Sequence, residues 1–222
     1  VAHGMNLRHL QRAPFRLDAR ALAWVNATFT RLTPAERRAQ LIVPLATDTS
    51  RGNLERFAAL GVGGLFRLPA RTVATLRAEA AQLQAASAVP MLLCGDLEFG
   101  ENAVIGGAEG TAFVNQLAVA AAGGEAVERM ATVAAVEGRA AGFNWSFTPV
   151  GDLDFNPLNP VVSTRCFGND PTRVATLVRR YVATLQRAGM AACVKHWPGD
   201  GVDDRDQHHV TSVNALPFAA WN

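Results

Sequence analysis

The chain has 222 residues, 49% hydrophobic and 18% charged, with a net charge of +2 at pH 7. That length buries the core of one domain or two, and the composition is that of a globular chain. The arginines are scattered along helical stretches, which excludes a basic nucleic-acid footprint, and no apolar run approaches the roughly 20 residues that span a membrane.

Val1-Ala2-His3-Gly4 ahead of Met5 reads as an expression scar, and residues 5–222 as a single domain without linker, repeat or low-complexity tract. The segment from Met5 is rich in arginine but lacks an apolar h-region, so no secretory signal is expected. Thr33-Pro34-Ala35-Glu36 is a capping box with Pro at the first helical position, which predicts a helix start. Leu41 to Ala46 reads as a strand, Asn53 to Leu60 as a helix ending at Gly61, and Val62 to Leu68 as a second strand. Arg71 to Ala86 is Ala-rich and helical, followed by a third strand from Val89 to Gly95. Thr111 to Ala122 and Glu125 to Ala141 predict two helices broken at Gly123-Gly124. Phe143 to Val150 reads as a fourth strand with Pro149 at its end.

Asn169-Asp170-Pro171 opens the clearest helix. Val174, Leu177, Val178, Tyr181, Val182 and Leu185 fall on one face at i, i+3, i+4, i+7 spacing, Gly189 closes the element, and Met190 to Val194 is the fifth strand. Alternation of this kind with apolar strands predicts parallel β/α packing. The three cysteines, Cys94, Cys166 and Cys193, are odd in number and lack metal-ligand spacing. They imply a reducing, cytoplasmic setting and no disulfide framework; no metal and no cofactor are expected, and the oligomeric state is left open.

Polar residues come directly after the apolar strands: Asp96 and Glu98 after the third, Asp152 and Asp154 after the fourth, Lys195 and His196 after the fifth. In a β/α barrel these positions converge on the carboxyl-end face, where active sites are built. An open doubly wound sheet would also use strand ends, but no Gly-x-Gly-x-x-Gly loop follows the first strand. The expected fold is therefore α/β of the (β/α)8 TIM-barrel type, incomplete here at about five β/α units. Lys195 is the sole lysine among 21 basic residues. It marks a place where a compact ammonium with three donors is not exchangeable for a planar guanidinium.

Lys195-His196-Trp197-Pro198-Gly199-Asp200-Gly201, then four residues, then Asp206-Gln207-His208, resembles the K-H-F-P-G-x-G…D-x-H motif of glycoside hydrolase family 3, in its β-N-acetylglucosaminidase branch. Phe143 to Val150 is similar to that family's N-x-x-F-A-P-V strand, Asn159-Pro160 through Pro171 to its N-P…R-S-F-G-x-D-P loop, and Gly95 to Glu98 to its D-x-E-G-G loop. The resemblance runs from about residue 33 onward. It implies a retaining β-N-acetylhexosaminidase that removes non-reducing terminal sugars, with a β-linked carbohydrate as partner. Asp96, Arg165, Lys195 and His196 would bind that sugar, and His208 would be the general acid/base, oriented by Asp206. An imidazole, which titrates near about pH 6.5, gives and takes a proton without the raised pKa that a carboxylic acid needs.

Simpler roles compete at several positions. For Arg165 the rival is a salt bridge within its own loop. Asp203, Asp204 and His209 are expected to face solvent, with metal binding the minor alternative, Asp170 to cap its helix, and Trp145 to lie in the core, while Trp197 is open between core and sugar platform. The chain also departs from the family pattern. Phe99 stands in place of a Gly, Glu101 and Val104 in place of arginines, and Asp200 in place of the His of P-G-H-G. The family's nucleophile is an Asp after a later strand, and Val210 to Asn222 hold no carboxylate. A segment of a longer enzyme is therefore expected. The alternatives are a sugar-binding or inactive remnant and a β-glucosidase-type member, with Asp152 the first carboxylate to test if this chain alone turned over substrate.

Overall fold

The computed structural model describes residues 7–68, 71–98, 109–214 and 216–221; the expression-scar reading at 1–4 and the departures at Phe99, Glu101 and Val104 lie outside these residues. Five parallel strands form one sheet in the order β1-β2-β3-β4-β5. They are Leu45–Ala46, Gly64–Arg67, Leu92–Gly95, Trp145–Ser146 and Ala191–Ala192. Sequential order without reversal is the winding of a barrel wall, whereas a doubly wound sheet reverses its order at a switch point. The helices between the strands are α3 (Arg51–Ala59), α4 (Val73–Ala86), the pair α5 (Gln116–Ala122) and α6 (Gly124–Ala140), and α7 (Pro171–Arg187). Ahead of them stand α1 (Ala19–Arg31) and α2 (Pro34–Ala39), and α8 (Phe218–Trp221) follows β5.

All five expected strands are present, and all are shorter than the apolar runs that announced them. Leu41 and Ile42 donate their N–H groups to Arg38 and Ala39 in the turn after α2, so ladder pairing begins only at Leu45. Past Pro149, pairing resumes as a single parallel bridge between Val150 and Lys195. The helix expected from Thr111 starts at Gln116, where the Asn115 side chain caps it by accepting from Ala118 N. Gly123 (φ +100°) ends α5 and starts α6, a conformation open to glycine.

Local signals set the helix starts. The Thr33 capping box is closed in both directions, and Asp170 accepts from the N–H groups of Thr172 and Arg173 at the head of α7. Val174, Leu177, Tyr181 and Leu185 then face inward against α6, whose Ala131, Ala134 and Ala135 are fully buried. Each large side chain so buried contributes about 1.5–3 kcal/mol. A second core sits between the sheet and α3 and α4, where Leu65 and Leu93 meet Leu54 and Leu83. The rigid sandwich of strands and helices leaves the loops after β3, β4 and β5 to build one end of the sheet.

Candidate active site

The parallel ladder places Asp96 and Glu98 after β3 and Lys195 after β5 at the same end of the sheet. The Lys195 ammonium donates to Asp96 Oδ1 at 2.7 Å and pairs with Glu98 Oε1 at 2.5 Å. Arg165 reaches the same carboxylate with a two-pronged fork, Nε to Oε2 at 2.9 Å and a terminal nitrogen to Oε1 at 3.0 Å. Its other terminal nitrogen donates to the Val161 carbonyl at 3.1 Å. Two cations and two anions thus interlock, with Glu98 shared by both cations. The salt bridge that rivalled sugar binding for Arg165 is real, but its partner is 67 residues away across the sheet end and not in Arg165's own loop.

Burial works to raise the Glu98 carboxyl, but the Arg165 hydrogen bond and the Lys195 charge outweigh it, leaving Glu98 below the usual carboxylate range. The same bond raises Arg165 against the opposing effect of its burial. Asp96 keeps its second oxygen clear of this network, and its side chain is 46% exposed. Of the four, Asp96 leaves one carboxylate oxygen open toward solvent. Arg165 is held in place by Asn159 as well: that buried amide accepts from Val161 N and Val162 N and donates to the Asp200 carbonyl at 2.6 Å.

His196 does not touch the interlocked group. Its ring Nδ1 lies 2.6 Å from Asp152 Oδ2, and its backbone N–H donates to that oxygen at 3.0 Å. The other Asp152 oxygen accepts from Asp200 N at 2.8 Å. Burial pushes the Asp152 carboxyl up, and the hydrogen bonds from His196 and Asp200 bring it below its ordinary value. The Asp152 side chain is wholly buried and both oxygens are engaged, so it is not a free nucleophile; it fixes His196 and the following turn. That turn packs so closely that a Cβ on Gly201 would collide with the Leu153 carbonyl.

Asp206 and His208 form a separate dyad on the loop beyond. Asp206 Oδ1 accepts from His208 N at 2.9 Å and lies 2.6 Å from His208 Nδ1. The imidazole is 69% exposed. The His208 backbone N–H, then the His208 ring, hold the Asp206 carboxyl below its ordinary value. Among the described residues no hydrogen bond or ion pair joins this dyad directly to Lys195 or Asp96.

These motifs, in this order and on this sheet, decide the family. The chain matches the glycosyl hydrolase family 3 N-terminal domain over residues 33–219. It belongs to that family. It is 42% identical over 218 residues to a β-N-acetylglucosaminidase/β-glucosidase of Cellulomonas fimi, a match covering 96% of this chain and 38% of that protein. Among solved structures, a β-glucoside phosphorylase, BglX, superposes with a TM-score of 0.85 at 33% identity, covering 98% of this chain and 38% of that one. A family 3 β-N-acetylglucosaminidase from Paenibacillus sp. str. FPU-7 superposes at 0.79 with 30% identity, covering 86% and 38%. The chain thus spans well under half the length of these relatives.

As a family 3 barrel segment, the fold explains which expected site residues meet. Lys195 meets Asp96 directly and Arg165 through Glu98, His196 pairs with Asp152, and His208 stands apart with Asp206. Glu98 and Asp152 are two organising carboxylates to which the motifs assign no part in the site; their position directly after apolar strands was the available signal. Asp203 corrects an expectation. It is buried, not solvent-facing, and accepts from the Ser212 hydroxyl at 2.9 Å. His209 and Asp204 are exposed as expected, Trp197 is 88% exposed, and Trp145 packs edge-on against Phe147. A cavity of about 390 Å³ beside Lys195 and His196 is walled mainly by apolar groups, including Phe155, Val194, Trp197 and Leu216. Lys195 and His196 line it, whereas Asp96, Glu98 and Arg165 do not, so the cavity meets the interlocked group only at Lys195.

Proposed function

We propose that this chain is a segment of a retaining β-N-acetylhexosaminidase that removes β-linked N-acetylglucosamine-type sugars from non-reducing ends. The observation that carries the reading is the convergence of Lys195, Asp96 and Arg165 at one sheet end together with an Asp206–His208 pair at 2.6 Å. In this reading Asp96 accepts from sugar hydroxyls, and Lys195 and Arg165 donate with the N–H groups not engaged by Glu98. His196, its Nδ1 turned to Asp152, offers Nε2 to the same sugar. His208 gives its proton to the departing glycosidic oxygen, and Asp206 stabilises the ring's charged form and orients it. The attacking carboxylate comes from a later β/α unit of the whole enzyme.

Phosphorolysis is the second reading, supported by the superposition on a β-glucoside phosphorylase over 98% of this chain. An imidazole that has given up its proton is neutral, so it does not repel an incoming phosphate as a carboxylate would. The phosphate oxygen would bond to the anomeric carbon as the bond to the nucleophile breaks, leaving a sugar phosphate. The test is turnover of an aryl β-N-acetylglucosaminide by the complete reading frame, with and without inorganic phosphate. Free sugar in both conditions supports hydrolysis, sugar 1-phosphate supports the second reading, and no turnover of any β-glycoside by the complete, folded protein rejects both.

A further inference from the structure

Residue 200 is where this chain carries Asp in place of the family's His, and the structure gives that carboxylate a partner. The Asp200 backbone is fixed from two sides, its N–H by buried Asp152 at 2.8 Å and its carbonyl by Asn159 at 2.6 Å. Its side chain, 19% exposed, accepts from Gln207 Nε2 at 2.6 Å. Gln207 sits between the two members of the Asp206–His208 dyad. Among the described residues, the hydrogen bonds of Asp206, His208 and His209 stay within residues 206–210, where His209 N and Val210 N donate to the Asp206 carbonyl. Gln207 is the member that reaches back to the turn after His196.

We propose that Asp200 and Gln207 are positioning residues, a clasp that holds the acid/base loop against the turn carrying His196. A hydrogen bond to an ionised carboxylate is roughly twice as strong as a neutral one. Here the acceptor is anchored by two backbone bonds, so it sets the place of whatever is attached to it. Because Gln207 is flanked by Asp206 and His208, fixing its side chain fixes the approach of the imidazole to the strand-end residues. The functional meaning rests on His208 as the acid/base; the clasp itself does not.

The test uses NMR water-exchange rates of the His208, His209 and Val210 amides in the 222-residue chain. Asp200→Ala and Gln207→Ala should each accelerate exchange at these amides by about three- to tenfold, as the loss of one hydrogen bond predicts. The double variant should go no faster than either single variant, since both remove the same contact. Asp200→Asn, which keeps an accepting oxygen, should retain most of the protection. If Asp200→Ala fails to fold, Gln207→Ala at the other end of the contact answers alone. Unchanged exchange, additive effects, an Asn variant as fast as Ala, or equal acceleration in α7 would each overturn the clasp. These rates are read without substrate, so their failure leaves the role of His208 standing, and a failure of that role leaves the clasp standing.

Discussion

The two halves of the site differ in how they are held. Lys195, Arg165, Asp96 and Glu98 form an interlocked, half-buried group whose members come from three separate loops. Asp206 and His208 come from one tripeptide on an exposed loop and find each other locally. In the proposed function, sugar binding is built into the scaffold, where fixed geometry discriminates between hydroxyl patterns, and the proton-transfer group is placed at the surface, where it can meet a varied leaving group. Removing part of the first half should therefore damage the fold, and removing part of the second should damage only chemistry.

The largest loss of stability is expected for Asp152→Ala. It deletes the acceptor for two backbone N–H groups and one imidazole, so it should cost about 3 kcal/mol in urea unfolding of the 222-residue chain. A cost below about 1 kcal/mol would mean that water replaces these bonds freely. Glu98→Gln comes next. It keeps the shape but leaves Lys195 and Arg165 short of one negative charge, at about 1–3 kcal/mol. Asp206→Ala and His208→Ala should leave the unfolding midpoint where it is, and a shift as large as that of Glu98→Gln would erase the distinction between the two halves.

Acid sharpens the same contrast. Glu98 and Asp152 are held below their ordinary pKa values, so the unfolded chain binds more protons than the native state as pH falls. Their contribution is complete above the unfolded carboxylate value of about 4 and is lost as pH falls through the lower native values. Asp200, raised mainly by burial, acts in the opposite sense: its contribution is present at low pH and lost as pH rises through its native value. With Glu36 and Asp206 lowered as well, four carboxyls act in the first sense against Asp200 alone, so the urea midpoint should fall between about pH 5 and about pH 3. In Glu98→Gln that fall should be shallower, and an unchanged slope would remove Glu98 from the account.

The local parts of this molecule are readable from the sequence because their causes are local. Thr33 and Glu36 are three residues apart, Asp170 caps the two residues after Pro171, and the stripe from Val174 to Leu185 announces its own buried face. The strand positions follow from apolar runs, but the strand lengths do not, since turn bonds at Leu41 and Ile42 compete with the ladder. Helix α1 carries a local mark of the same kind, Asp18 accepting from Ala21 N at its head, although it holds no buried residue. Glu98 as a shared acceptor depends on partners 67 and 97 positions away in the sequence, and only the closing of the sheet brings them to it. Asp203 looks like part of a solvated acidic run until Ser212 folds back over it.

The account stands on His208 as the acid that protonates the leaving group, and leaving-group dependence tests this directly. In the complete protein, His208→Ala should slow cleavage of an alkyl β-N-acetylglucosaminide by about 10²–10⁴-fold, because a strongly basic alkoxide cannot depart without a proton. Cleavage of an activated nitrophenyl glycoside, whose leaving group needs little help, should slow far less. Equal slowing of both substrates, or no slowing of the alkyl glycoside, would contradict the assignment and place the acid elsewhere.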